Sequence, residues 1–247
     1  MAISIIAGAP QPTFTEEDFE ADPGEVVEPI FPQVVQPAGW DPESFSQEQV
    51  RGLVRQVFFS AGSKAAREVV LSAVDPEAEV GSICLQVAET LAEQVTENVC
   101  VVEANLHAPG LEPAYGRNRN DGLCAPDTDE AMRVSSRQIS RRLWLVSWEM
   151  DLGQNGFSVS WLRNQVGELR RRYGYTVLHA PPAGMYSETA LLGHLTDGVI
   201  LVLEAHTTRR VAAQKAKETL LAANARLLGT VLSERRFPIP ERIYRRL

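Results

Sequence analysis

Between Arg67 and Glu234 the chain alternates short β-branched runs with amphipathic segments, and this alternation limits the folds open to it. The runs are REVVLSAV (67–74), NVCVVEANL (98–106), RLWLVSW (142–148), YTVLHAPP (175–182), VILVLEA (199–205) and RLLGTVLSE (226–234). Between them lie helical patterns: SICLQVAETLAEQV, SVSWLRNQVGELRRRYG, ETALLGHLTDG and TRRVAAQKAKETLLAANA. Strands that are apolar on both faces, joined by helices, predict a parallel sheet covered on both sides, a three-layer αβα domain. A further helix is predicted from about Asp41 to Gly62, opened by Pro42. Residues 107–130 read as loop.

Charge separates the N-terminus from the rest. Residues 1–50 carry ten acidic side chains and no Lys or Arg, so the formal −8 of the whole chain leaves +2 for residues 51–247. Residues 1–43 are also rich in Pro and lack helical period, which predicts a flexible acidic tail, partly PPII, ahead of a domain over 44–247. Arg235, Arg236, Arg242, Arg245 and Arg246 make the C-terminus basic, but no aromatic-interleaved patch or reading helix accompanies them, and no nucleic-acid partner is predicted. No apolar stretch has the length of a membrane span. The first residues lack the basic leader of a signal peptide. Three cysteines, Cys84, Cys100 and Cys124, have no CxxC spacing. They predict neither a disulfide framework nor zinc, and fit a cytoplasmic protein in which Cys84 and Cys100 are small buried apolar residues. His107, His194 and His206 are far apart in sequence and predict no metal site.

In an open parallel sheet ligands bind beyond the C-terminal strand ends. Three such ends carry the candidate chemistry. After the first strand the chain reads Ser72-Ala73-Val74-Asp75-Pro76-Glu77-Ala78-Glu79-Val80-Gly81-Ser82 and enters a helix. This segment resembles the phosphate loop of the CpsD/Wzc-like bacterial tyrosine kinases (BY-kinases) of exopolysaccharide synthesis, P-loop proteins related to the MinD/ParA group. Their pattern is SAxPGEGKST. Against it, Glu77 and Glu79 stand at two glycines, Val80 at the lysine and Gly81 at the magnesium-binding serine, while Ser82 keeps a hydroxyl. The second end, VVEANLHAPG, resembles DADLRRP: Glu103 and Asn105 replace two Asp, and His107 and Ala108 replace two Arg. The third, YGYTVLHAPP, resembles YDYVIIDSPP, with His179 in place of an Asp and Pro181-Pro182 kept.

A phosphate cradle needs inward N–H groups, glycine to permit the turn, and a lysine for the β/γ phosphates. Here the cation is gone and two carboxylates are added. One carboxylate about 4 Å from a phosphate oxygen costs on the order of 4 kcal/mol per unit charge at an effective dielectric of about 20. A helix N-terminus does not offset that. The expectation is a P-loop-like domain without bound cofactor or metal and without catalytic residues, a pseudo-kinase.

The resemblance extends over roughly residues 45–235. Glu48 and Arg51 match the family's ExxRxxR oligomer helix; the second Arg would fall at Val54, and Arg55 lies one step on. Tyr244 is the last tyrosine and the only one after Tyr186, so the family's C-terminal tyrosine cluster is missing. The resemblance implies a scaffold or regulator in capsular and exopolysaccharide synthesis and export. Its implied partners are a membrane chain-length regulator or an active kinase paralogue, at the inner face of the cell membrane, with self-association through the 48–55 helix. A divergent but active tyrosine kinase and a MinD/ParA-like positioning adaptor are the alternatives.

Overall fold

The computed structural model describes residues 4–6, 42–60, 65–111, 132–150 and 158–234. Among these residues eight strands form one sheet: β1 (Ser4–Ile6), β2 (Glu68–Ala73), β3 (Val99–Glu103), β4 (Met132–Gln138), β5 (Leu143–Met150), β6 (Tyr175–His179), β7 (Gly198–Glu204) and β8 (Leu227–Ser233). Their order is β1-β8-β7-β2-β6-β3-β5-β4. The six strands from β8 to β5 are parallel, and these are the six runs read from the sequence. The outer strands β1 and β4 are antiparallel to their neighbours.

Among the described residues five helices cover the sheet: α1 (Pro42–Phe58), α2 (Val80–Gln94), α3 (Val159–Arg172), α4 (Glu188–Leu195) and α5 (Arg210–Ala222). Successive residues of a strand face opposite sides, and the core divides accordingly. Val69, Leu71, Val101, Val177 and Ile200 pack under α1 and α2. Val70, Cys100, Val102, Leu178 and Leu201 pack under α3, α4 and α5. Cys84 and Cys100 are both fully buried free thiols, as the sequence predicts, and burial pushes both well above the ordinary thiol range. Cys124 lies outside the described residues.

Three points differ from the sequence reading. Ser4–Ile6, assigned above to the flexible tail, pairs with Thr230–Leu232 of β8, because the short apolar run at the N-terminus supplies ladder partners for an otherwise bare sheet edge. Residues 7–41 lie outside the described residues. Met132–Gln138 forms β4 although MRVSSRQ has no buried-strand signature; it is an edge strand held by the hairpin to β5. Helix α1 ends at Phe58, short of Gly62. Among the described residues no helix is long and apolar enough to cross a membrane.

Candidate functional site: the strand-end crevice

The sheet order brings the C-terminal ends of β2, β6 and β3 side by side. After β2 the chain turns through residues 74–79 and enters α2, with Glu79 as N-cap and Val80 as the first helical residue. Val80 is buried in the core beneath α2, where its apolar side chain belongs and a lysine would not. Ser82 Oγ donates to the Glu79 carbonyl at 3.2 Å, closing the first turn. The first turn has no acidic residue, but Asp75, Glu77 and Glu79 line the loop before it, and Asp75 Oδ2 is buried without a hydrogen-bond partner among the described residues.

The loop after β6 packs on this segment. Ser72 Oγ donates to the Pro181 carbonyl at 2.7 Å and accepts from Ala183 N–H at 3.0 Å. A Cβ on Gly184 would meet the Val74 carbonyl at 2.5 Å, so the two loops touch backbone to backbone. Pro181-Pro182 therefore stands in a fixed turn.

Glu103 closes β3 and is 1% exposed. In the parallel register it lies directly beside His179, the last residue of β6. Glu103 Oε1 accepts from Asn105 N–H at 3.1 Å and lies 2.7 Å from His179 Nδ1. Its Oε2 accepts from Gly110 N–H and Leu111 N–H, both at 2.7 Å. The second carboxyl-motif residue, Asn105, turns back on its own loop: Oδ1 accepts from His107 N–H at 3.2 Å and Ala108 N–H at 3.1 Å. Further out, the His107 ring stacks on Tyr186 with centroids 3.8 Å apart, and its Nε2 lies 3.2 Å from Glu188 Oε1.

Over 197 residues, 78% of this chain and 83% of the other, the sequence is 23% identical to the tyrosine-protein kinase YwqD of Bacillus subtilis. The fold is similar to the VpsO kinase domain, with TM-score 0.58, 18% identity and coverage of 78% of this chain and 98% of that one. The chain is thus similar in sequence to a bacterial tyrosine kinase and shares the fold of such kinase domains. MinD of Aquifex aeolicus shares the fold more distantly, with TM-score 0.53, 14% identity and 73% coverage of each chain. No family profile matches the chain.

Against the tyrosine-kinase pattern, the structure gathers Glu103, Asn105 and His179 at one point and sets Gly81 opposite them, while Glu77 and Glu79 stay on the loop. Glu48, Arg51 and Arg55 lie apart on α1. Val54, where the motif would place its second Arg, is fully buried, and Arg55 returns to the exposed face seven residues after Glu48. Glu48 pairs with Arg51 at 3.5 Å and Arg55 at 3.8 Å. Sequence reasoning missed Gly110 and Leu111, whose contribution is backbone N–H, and gave no role to Ser72, which opens the segment likened to a phosphate loop. Tyr244 and the C-terminal arginines lie outside the described residues.

Proposed function

We propose that this chain is a non-catalytic relative of the bacterial tyrosine kinases that acts as a scaffold or regulator in capsular and exopolysaccharide synthesis and export. The pathway follows from the resemblance. Its partners are then proteins: a membrane chain-length regulator or an active kinase paralogue, met at the inner face of the cell membrane, with self-association through the Glu48–Arg51–Arg55 face.

One observation carries the loss of chemistry. The Glu103 carboxylate, the residue best placed to hold a metal, has both oxygens committed to three backbone N–H groups and His179. Phosphoryl transfer depends on positioning and charge neutralisation by magnesium and a lysine. Val80 is apolar and buried, Gly81 offers no hydroxyl, and His179 is a nitrogen donor turned toward Glu103, whereas magnesium prefers oxygen. Asp75, Glu77 and Glu79 add repulsion for a triphosphate. These residues do not fit MgATP.

Titration calorimetry of the full chain with MgATP tests this. No binding heat is expected at sub-millimolar nucleotide. Micromolar binding, accompanied by autophosphorylation, would favour the divergent active kinase instead.

A further inference from the structure

The crevice is filled by the chain itself. A Cβ built on Gly81 would sit 2.8 Å from the Gly110 carbonyl oxygen and 2.9 Å from its carbon. A Cβ on Gly110 would sit 3.1 Å from His179 Cε1. Backbone at Gly110 thus runs between the first turn of α2 and the His179 ring, so close to Gly81 that a side chain there is excluded, and close enough to His179 that one on Gly110 would have to push the ring aside. The segment is tied along its length. Glu103 holds it at Asn105, Gly110 and Leu111, Asn105 folds its first turn, and Leu111 is fully buried in the core. At the rim His107 bridges to Tyr186 and Glu188.

We infer that residues 105–111 form a resident strap, locked by Glu103 and His179 and seated on Gly81, which keeps the crevice closed without any ligand. The replacements at 81, 103 and 179 then act as one set. A glycine at 81 admits the strap, a glutamate at 103 reaches its amides, and a histidine at 179 braces the glutamate. Restoring a lysine at 80 alone leaves the crevice occupied. The inference rests on the proposed function only in naming what the strap replaces, and its test needs no nucleotide.

The measurement is amide hydrogen exchange of Gly110 and Leu111 in the full chain, unaltered and as Glu103→Gln and Gly81→Ala. Glu103→Gln replaces one acceptor oxygen by an amino group that faces N–H donors or the His179 ring. Gly81→Ala keeps every hydrogen-bonding group and improves helix propensity, so it acts on the strap only through its added Cβ. Exchange at both amides is expected to quicken about tenfold or more in each variant, with β2 and β6 amides unchanged. Native rates in both variants overturn the strap. A response to Glu103→Gln without one to Gly81→Ala also overturns it, because the seat on α2 is then dispensable. Calorimetric MgATP binding by the unaltered chain would sink the proposed function and leave these exchange rates to decide the strap.

Discussion

Glu68 opens β2 at one end of the sheet and Glu103 closes β3 at the other, and both carboxylates are withdrawn from solvent. They are satisfied by different means. Glu68 takes a formal cation: Arg170, in the last turn of α3, approaches it bidentately, with Nε 3.0 Å from Oε1 and Nη2 on Oε2. Burial still pushes the Glu68 carboxyl up, against the pull of Arg170 and with a further push from Asp197. Asp197 in turn accepts the N–H groups of Arg67 and Glu68. Glu103 uses three main-chain amides, those of Asn105, Gly110 and Leu111, and one imidazole. The first arrangement pins three separate elements together. The second folds a loop around a single side chain. A buried acid is held by geometry in both cases, but only at Glu103 does its removal leave several donors orphaned together.

The largest effect should therefore come from Glu103→Ala. It strands three N–H groups and His179, and should cost about 3 kcal/mol or more, on the order of 6–12 °C in melting temperature for a chain of this size. A loss near zero by thermal denaturation would mean that water replaces the carboxylate and that the two ends do not differ as described. Arg170→Met should cost less, about 1–2 kcal/mol, because the Arg170 side chain is 62% exposed and water reaches the vacated place. An Arg170→Met loss as large as that of Glu103→Ala would erase the contrast.

The smallest effect is a pH dependence at Glu68. Its folded-state pKa is raised above the ordinary carboxylate value of 4.5, so the folded protein binds this proton more readily than the unfolded chain. The contribution of Glu68 to stability thus falls as pH rises through the folded value, and recovers as pH drops toward 4.5. In parallel melts of the unaltered chain and Glu68→Gln, the unaltered chain should gain on the variant as pH is lowered from 7 toward 5. A gain in the opposite direction would mean that Arg170 outweighs burial.

The six parallel strands were legible because each is a β-branched run bounded by polar or turn residues, and burial on both faces leaves that mark. Strands β1 and β4 were not. Three residues carry no period, and MRVSSRQ forms its ladder through a hairpin partner that local pattern cannot name. At the crevice, single positions such as Val80, Glu103 and His179 were readable against the family pattern. Their meeting was not, since Glu103 and His179 are 76 residues apart and become neighbours only through the β6-β3 pairing. Glu68 left one overlooked sign: an acid at the head of an otherwise apolar strand, which demands a buried partner.

The pairing of Ser4–Ile6 with β8 has a consequence for how the chain tolerates shortening. Without those three residues, the main-chain groups of Thr230, Val231 and Leu232 that face them would be left open on a seven-residue margin. Such a margin is a template for another chain's strand. Trimming the acidic leader would then uncover an adhesive border, and a cut placed after Ile6 would differ from one placed before it in colloidal behaviour more than in folding.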